Sequence, residues 1–431
     1  MLLNEFSATF LLIAATLVFL LPTRWALLPV FISACYMTRA QGLLIGPFHF
    51  SVIRVILLAG WLRMLLRGPH RAGRLDGLDN LMLIWSAWLL VTSFFHDEPS
   101  DALVYRLGLI YDTCGFYFLV RTFCQSMDDL VQLFRMVAVV LTPVALAMLY
   151  EKLTAYDVFS VLGGVNAVPT IREGHVRAQG PFAHAILAGT IGAVCLPMTF
   201  SLWQFSRTMA VTGCVACLLM VYTSTSSGPV LSTLAAICAL AMWRYRTKTK
   251  WAIWLMAFGY IALDFIMKDP AYFILARIDI TGGSTGWHRA RLIQSALEHL
   301  SEWWFAGTDY TRHWMASGVS WSRQHTDITN HYIQMGVWGG LPLVALFLAQ
   351  LARGFQAVGI TIRVWRDADV PLSFQYLPWA LGASLFAHAF TCVSVSYFDQ
   401  TYIFLYLALA AISSAHSRAR ELQGAIVPEP S

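Results

Sequence analysis

Long apolar runs constrain this chain more than any other feature of its sequence. Thirteen runs of mostly apolar residues follow one another from residue 5 to residue 415, without the alternation typical of barrel strands. A membrane-spanning helix needs about 20 such residues, and only helices or closed barrels satisfy their backbone groups in lipid. The sequence therefore predicts an all-α integral membrane protein. The runs are 5–21, 25–40, 50–66, 79–95, 103–121, 130–150, 182–203, 207–223, 229–243, 251–267, 332–352, 373–393 and 397–415.

Composition agrees with a polytopic bundle and excludes a water-soluble fold. Of the 431 residues, 58% are hydrophobic and 12% are charged, whereas soluble domains carry about 25% charged residues. Because Pro22 separates the first two runs by almost nothing, we expect about twelve spans. No internal repeat or linker divides residues 1–415, which predicts one membrane domain. The short polar tail 416–431 is predicted to be a disordered, cytoplasmic segment.

Basic residues between the runs predict how the chain is oriented. Loops rich in Arg and Lys stay on the cytoplasmic side of a membrane. The net charge of +5 therefore indicates topology rather than nucleic-acid binding. If the spans are counted as above, all basic clusters fall on one side, and the loops 151–181 and 268–330 face the other. The clusters are Arg63, Arg67, Arg71 and Arg74; Arg244, Arg246, Lys248 and Lys250; Arg353, Arg363 and Arg366; and Arg418 with Arg420.

The first outward loop ends in a possible anion site. Arg177 precedes Gly180-Pro181 and the start of an apolar run, with His184 close behind. A helix start offers unpaired backbone N–H groups, and a guanidinium adds a charge suited to phosphate. The alternative is an interfacial arginine whose aliphatic stem packs on the membrane edge. Arg172 is a weaker candidate, because the next residue, Glu173, is a ready partner.

The second outward loop contains a predicted amphipathic helix, within residues 287–305. Apolar residues recur there at three- and four-residue steps, as in a helix lying on a surface. Arg289 and Arg291 fall near its N-terminus, where positive charge opposes the helix dipole. Such a placement indicates an anionic ligand, and the alternative is a contact with lipid headgroups.

Two histidines near the end of this loop are candidates for proton transfer. His325 and His331 flank the entry to the next run, together with Asp327 and Asn330. If the segment is helical, residues 327, 330 and 331 share one face. Imidazole titrates near neutrality, so it can accept a proton from a hydroxyl group. The alternative is a structural hydrogen-bonding role for each histidine.

Metal binding is a competing explanation for these histidines. Asp327 or Asp309 could complete a metal site, but residues 325 and 331 do not share a helical face as an i,i+4 pair would. No Asp-x-Asp-like acidic pair accompanies them on the outward side, which favours chemistry without metal or cofactor. Cys214 and Cys217 form a Cys-x-x-Cys pattern inside an apolar run, where packing is the favoured interpretation.

Two acidic residues fall within or beside apolar runs. Asp112 lies inside run 103–121, and Asp264 lies near the end of run 251–267. Carboxylates are costly in lipid and are functional candidates by default. The alternative partners are Arg106 for Asp112 and Lys268 for Asp264.

Three short motifs occur in order along the outward loops. The first is Arg177-x-x-Gly180-x-Phe182, at the start of an apolar run. The second is Arg289 followed by Ser295-Ala296-Leu297 and Gly307. The third is His325, followed by Gly336 and then Gly339-Gly340-Leu341. Together they resemble the signatures of the bacterial O-antigen ligase and Wzy-type polysaccharide polymerase superfamily.

The resemblance covers residues 175–345 in detail and contains departures. Trp304 stands where the family has proline, Asp309 replaces the second glycine of a Gly-x-Gly, and Thr326 replaces asparagine. Ile293 also occupies a position where an indole is usual. His331 competes with His325 for the family's histidine, and the spacing to Gly336 favours His325.

The resemblance implies a fold akin to the GT-C glycosyltransferases, in the bacterial inner membrane with periplasmic active-site loops. It implies metal-independent, inverting transfer of glycan from undecaprenyl pyrophosphate to an acceptor glycan. In that scheme Arg177 and Arg289 hold the diphosphate and His325 is the base. Arg291, His331, Asp327, Asn330 and His184 are the expected substrate-binding residues. Membrane lipids, a flippase and chain-length or export proteins are the expected partners.

Within this family a polymerase of lipid-linked repeats is favoured. The alternative within the family is a ligase that moves the glycan to lipid A-core or to a protein. A flippase of lipid-linked sugars is the alternative from another class; it predicts polar residues across the membrane midplane. A structural partner of an export system is a third alternative, in which Arg177, Arg289 and His325 would be dispensable.

Overall fold

The computed structural model describes residues 3–67, 75–278 and 285–426 as a helical bundle with two short β-hairpins. The hairpins are Gly42–Ile45 with Phe48–Ser51 (β1, β2) and Ile171–Arg172 with His175–Val176 (β3, β4). The helices are Glu5–Leu20 (α1), Leu28–Tyr36 (α2), Val52–Arg67 (α3), Gly77–Thr92 (α4), Pro99–Ile110 (α5), Phe116–Phe123 (α6), Met127–Thr154 (α7), Ala185–Ser201 (α8), Arg207–Ser224 (α9), Ser227–Ala241 (α10), Thr249–Ile266 (α11), Ile274–Arg277 (α12), Gly286–Glu298 (α13), Leu300–Trp303 (α14), His331–Asp367 (α15), Leu372–Cys392 (α16) and Tyr402–Ile426 (α17).

Seven of the helical segments in the described ranges are long and apolar enough to cross a membrane. This agrees with the predicted all-α membrane class, while the count of about twelve spans stays a prediction. A π-helical turn at Tyr111–Gly115 joins α5 and α6 into one of the seven. The seven are Gly77–Phe95, Pro99–Phe123, Met127–Thr154, Ala185–Gln204, Arg207–Ser224, Ser227–Lys248 and His331–Asp367.

The second predicted span, residues 25–40, is not a full helix. Helix α2 has nine residues, which reach about 14 Å at 1.5 Å per residue. The chain then continues through residues 37–41 without helix and enters the hairpin β1–β2. Hydropathy alone could not distinguish a spanning helix from a short helix followed by a hairpin, because residues 42–51 are also largely apolar.

Arg63 and Arg353, members of two of the predicted basic clusters, lie at the same end of the bundle, where Arg63 contacts the Phe123 ring and Arg353 lies beside Gly77. The Arg63 guanidinium donates to the Leu21 carbonyl at 2.7 Å, which joins the ends of α1 and α3. At the same end, the Ser413 hydroxyl donates to Asp76 at 2.7 Å, and Arg121 pairs with Asp79 at 2.6 Å. Arg71 and Arg74 lie outside the described residues.

At the opposite end, Arg177 of loop 151–181 and Arg289 of loop 268–330 lie close enough for their charges to interact. Asn4 donates its backbone N–H to Gln41 at 3.0 Å. The Ala183 N–H donates to Asp399 at 3.0 Å, so the loop before α8 contacts the turn before α17. Residues from four distant parts of the chain therefore assemble around this end.

Helix α8 occupies the centre of the bundle, and nearly all of its residues are buried. A Cβ at Gly192 would lie 2.4 Å from the Cys217 carbonyl oxygen on α9. Small residues of this kind let helices in a membrane approach closely. Cys217 therefore serves packing, and all eight cysteines are free thiols.

Residues 285–330, which we call the cap, have a small core of their own. Its buried apolar members pack against the first turns of α15. They are Leu292, Ala296, Trp303, Trp314, Met315 and Ile328, and they meet Ile333 and Val337 of α15. The cap therefore has a defined position at one end of the bundle.

Helix α15 is broken where the cap meets it. Gly339 and Gly340 leave helical geometry, and Gly340 has φ of +72°. The Leu341 N–H donates to the Trp304 carbonyl at 2.7 Å, and the Trp88 indole donates to the Gly339 carbonyl at 2.8 Å. The break frees backbone groups that α4 and the cap then satisfy.

Several local expectations need correction. The predicted amphipathic helix is divided at His299 into α13 and α14. Helix α15 begins at His331, so Asp327 precedes it and does not share a helical face with that residue. Helix α17 continues to Ile426, through most of the predicted disordered tail. Residues 427–431 and the Gly/Ser/Thr-rich turn at 279–284 lie outside the described residues.

The two intramembrane acids do not have the partners considered from the sequence. Asp112 pairs with Arg54 at 2.7 Å and lies 3.5 Å from Arg39, rather than pairing with Arg106. Asp264 accepts the Ala271 N–H at 2.9 Å and makes no ion pair with a described residue. Asp112 is thus compensated in the bundle.

The break in α15 yields a stability prediction. Gly340→Ala is expected to lower the free energy of unfolding by about 2 kcal/mol or more, since overpacking and a left-handed backbone each cost about 1–3 kcal/mol. The new Cβ would lie 2.1 Å from the Phe305 carbonyl oxygen. Gly359→Ala on the same helix meets nothing within 4 Å and is the matched control. Thermal unfolding in detergent measures both; equal melting temperatures would contradict the packing argument.

Candidate functional site

The segment 177–184, which we call the arginine loop, is held by a buried carboxylate. Glu151, at the end of α7, accepts the backbone N–H groups of Gln179, at 3.0 Å, and Gly180, at 2.8 Å. Gly180 has φ of +56°, a conformation that glycine adopts without steric cost. The Gly-Pro turn noticed in the sequence thus closes around an acid from another helix.

Three further contacts anchor the arginine loop. The Ala178 N–H donates to the Thr223 carbonyl at 3.1 Å, and the Gln400 amide donates to the Pro181 carbonyl at 3.0 Å. Asp399 accepts the Ala183 N–H, as described above. The loop is therefore positioned by α7, α9 and the start of α17 together.

Arg177 is buried within this framework. Its side chain donates through Nη2 to the Ser226 hydroxyl at 2.7 Å. The residue is 6% exposed, and its Nε has no hydrogen-bond partner among the described residues. The guanidinium is therefore oriented but not neutralised.

Arg289 reaches the same region from helix α13. It is 9% exposed, and its Nε also lacks a hydrogen-bond partner within the part of the chain that the structure describes. Arg291 lies two residues further on, on the opposite face of the helix. There it is largely exposed, with its nearest carboxylate, Glu298, at 3.9 Å. The structure thus separates two arginines that the sequence treats alike.

The charge of Arg172 acts on both of these arginines, so Arg172 lies near them. Burial lowers the pKa of Arg177, and the charges of Arg172 and Arg289 lower it further. Burial and the charge of Arg172 also lower the pKa of Arg289, which the Asp327 carboxylate partly opposes. We call Arg172, Arg177 and Arg289 the arginine cluster. Within the described residues, none of the three forms an ion pair with a carboxylate.

Arg172 was the residue that sequence reasoning underrated. It lies on β3, and Glu173 with Gly174 forms the tight turn to β4, with φ of +49° and +77°. Adjacent side chains of a strand point to opposite faces. The expected Arg172–Glu173 pair does not form within the described contacts.

His184 is the fourth member of this region. Burial lowers its pKa to about 4, with further contributions from Arg177, Arg289 and Arg172. Its Nδ1 accepts the Ile186 N–H at 3.1 Å, which caps helix α8. The neutral ring therefore carries its proton on Nε2. His184 offers a hydrogen-bond donor to a ligand rather than a base.

His325 lies elsewhere in the cap, half-exposed beside Trp321. Its Nδ1 is 2.7 Å from the Ser322 hydroxyl. Burial lowers the pKa of His325, and the Asp309 carboxylate partly opposes this shift. Asp309 itself contacts His96 at 2.5 Å. No described hydrogen bond joins His325 to the arginine cluster.

His331 and Asn330 have structural contacts. His331 is 2% exposed and accepts the Tyr397 N–H through Nδ1 at 3.2 Å. Asn330 caps α15 by accepting the Ile333 N–H, and its amide donates to the Val393 carbonyl at 2.8 Å. Both side chains thus attach the start of α15 to neighbouring segments.

Asp327 and His288 border the arginine cluster. Asp327 is exposed, and its charge acts on Arg289. Nε2 of His288 lies 3.3 Å from the Asp327 backbone oxygen. His325 is only two residues from Asp327, so this short segment connects His325 to the border of the arginine cluster.

A cavity of about 300 Å³ lies beside the arginine loop. Ala183 lines it, and so do two basic and two acidic residues, Arg39, Arg54, Asp112 and Asp399. Aromatic side chains complete the wall. They are Tyr105, Trp338, Tyr397, Phe398 and Tyr402. Arg39 and Arg54 lie near the edges of apolar runs, and this position is the sequence signal that could have indicated them.

No protein-family model matches this chain, and no curated protein matches its sequence. The chemistry of the arginine cluster is therefore the main observation that bears on function.

The environment of His184 predicts how stability depends on pH. Its folded pKa of about 4 lies below the usual 6.5, so the unfolded chain binds more protons between these values. This contribution is complete above pH 6.5 and is lost as the pH falls towards 4, up to roughly 3 kcal/mol. His184→Asn keeps an acceptor for the helix cap. It should make the melting temperature less dependent on pH between pH 7 and pH 4.5. An unchanged slope would contradict the assigned environment.

Proposed function

We propose that this protein transfers a glycan from a polyprenyl diphosphate to a hydroxyl group of an acceptor glycan, as a polymerase of lipid-linked repeats. The observation that carries the proposal is the arginine cluster. Two of its guanidiniums are buried with an unpartnered Nε, and the described residues provide no carboxylate to pair with them. Leaving such charges uncompensated costs several kcal/mol each in real proteins.

A diphosphate supplies what this cluster lacks. Guanidinium forms paired hydrogen bonds to phosphate oxygens, a geometry that lysine does not reproduce. Nε2–H of His184 adds a neutral donor at the same place. Because the cluster lies at the end of a bundle of apolar helices, a diphosphate on a lipid tail is the donor that we favour.

The proposed reaction is a single displacement at the anomeric carbon. An acceptor hydroxyl oxygen forms the new bond to this carbon, and the bond to the diphosphate oxygen breaks. The electron pair leaves with the diphosphate, whose growing charge Arg177 and Arg289 stabilise. The hydroxyl proton passes to a base, and the anomeric configuration is inverted.

His325 is the base that we favour. Of the two histidines considered from the sequence, His331 is buried and its Nδ1 is engaged, whereas His325 is half-exposed. Asp327, which acts on Arg289, is only two residues from His325 in a non-helical segment. Two extended residues span about 7 Å, comparable to the size of a sugar ring.

The neighbouring cavity suits a sugar. Its volume of about 300 Å³ is at the lower end of ligand pockets. Charged groups and aromatic rings line it together, as expected for a ligand with hydroxyl groups and apolar ring faces. Ala183 connects it to the arginine loop, so a glycan on a bound diphosphate lies next to it.

The first test compares two arginines on one helix. Arg289→Ala should reduce glycan transfer at least 100-fold, the order of loss seen when one donor to a developing anion is removed. Arg291→Ala is the matched control and should stay within about threefold of wild type, because surface substitutions have small effects. Transfer is measured with purified protein in nanodiscs and a lipid-linked oligosaccharide. Equal activities of the two variants would refute the diphosphate role of the cluster.

A second test concerns the base. If His325 accepts the proton, activity should fall as the pH drops through its lowered pKa, because the protonated ring cannot act as a base. His325→Asn should reduce the rate by about 10²–10⁴-fold and remove this acidic limb. His331→Asn serves as a comparison that should not remove the limb. If only the His331 variant lost the acidic limb of the pH profile, His331 rather than His325 would be the base.

Deletion of the gene separates a polymerase from a ligase. A strain without the polymerase accumulates single lipid-linked repeats, whereas a strain without a ligase accumulates long unattached chains. We expect single repeats, analysed by mass spectrometry of the lipid-linked fraction. Long chains would replace the polymerase assignment with the ligase.

A further inference from the structure

A second group of ionisable side chains lies in the cap, apart from the arginine cluster. His299 and Glu302 are three residues apart across the junction of α13 and α14, and His313 lies on the helical turn Arg312–Trp314. One ligand atom from each of the three residues lies within 4.8 Å of the other two. The imidazole rings of His299 and His313 are 4.9 Å apart between centroids. Two imidazoles therefore converge on one carboxylate.

Neighbouring groups orient two of these side chains. Nδ1 of His299 lies 2.8 Å from the Ser295 carbonyl oxygen, so it carries the proton in the neutral ring and leaves the Nε2 lone pair free. The Trp314 indole donates to Glu302 at 3.2 Å. A backbone carbonyl behind a histidine and a donor behind a carboxylate are the usual surroundings of metal ligands.

We propose that His299, Glu302 and His313 bind a Zn²⁺ ion. Two imidazole nitrogens and one carboxylate oxygen form a ligand set that zinc uses with water in the fourth position. Bonds of about 2.0–2.2 Å place tetrahedral ligand atoms about 3.5 Å apart. The three ligand atoms now lie within 4.8 Å of one another. Rotation of the exposed His313 side chain would bring them to the shorter distance that zinc requires.

A zinc ion would replace the present hydrogen bond between His313 and Glu302. Nε2 of His313 is 2.9 Å from the carboxylate, so a proton now holds two ligand atoms together. Zinc would displace this proton, which makes its binding weaker at low pH. An exposed ion pair alone contributes only about 0–1 kcal/mol, and it gives no reason for His299 to converge on the same carboxylate.

The bound ion would link separate parts of the cap. Trp314, next to His313, belongs to the cap core together with Trp303, next to Glu302. A metal bridge between these positions would stabilise the cap without taking part in glycan transfer. The proposal is independent of the proposed function, because none of the three ligands belongs to the arginine cluster.

Zinc titration of the full chain tests this proposal. The protein is purified in nanodiscs, its affinity tag is removed, metal is stripped with EDTA, and Zn²⁺ is titrated calorimetrically at pH 7.5. We expect one Zn²⁺ per chain. His313→Ala and Glu302→Gln should each weaken binding by on the order of 100-fold or more, since even changes behind the ligands cost 10–100-fold. His288→Ala, which removes another cap histidine, should bind as wild type does.

A melting experiment provides a second readout. Zn²⁺ should raise the melting temperature of wild type and of His288→Ala, because it binds only the folded cap. It should not raise that of Glu302→Gln. Glu302→Gln keeps an oxygen for the Trp314 indole, and a metal-free melting temperature equal to that of wild type verifies its fold. Substoichiometric zinc in wild type, or equal affinity in wild type and Glu302→Gln, would overturn the proposal.

Discussion

The structure depends on how charges are compensated where water is scarce. Removing a charge from water is favourable only when a partner replaces the lost hydration. Asp112 has Arg54, Asp79 has Arg121, and Glu151 accepts backbone N–H groups of the arginine loop. The arginine cluster departs from this pattern, because its charges repel one another and none of its members forms an ion pair with a described carboxylate. That departure is the reason why we propose an anionic substrate as the partner of the cluster.

The position of the cluster follows from two other features of the bundle. The arginine loop is held by Glu151 at the end of α7 and by Asp399 in the turn before α17, which are far apart in sequence. The cap brings Arg289 to the same place by docking on the break in α15 at Gly340. A continuous helix at this point would leave no free backbone groups for the cap to bind. The glycines of the third motif are therefore explained by packing as well as by a resemblance.

The histidines illustrate how burial separates similar residues. His325 and His331 are six residues apart and chemically identical, yet one is half-exposed in the cap and the other is enclosed beside Tyr397. His184 is engaged through Nδ1, so its neutral ring can only donate from Nε2. Tautomer and exposure, rather than residue type, thus support different roles for the three.

The sequence by itself determined the membrane class, because this class follows from local composition and hydropathy. It also singled out Arg177, which precedes a Gly-Pro turn and an apolar run, and Arg289, which lies near a helix start. It could not determine that residues 25–40 form a short helix, that Asp112 pairs with Arg54, or that Arg172 joins the cluster. Those features depend on contacts between residues distant along the chain. Only the tertiary structure decided them, because the cost of burying a charge depends on which partners the fold brings within reach.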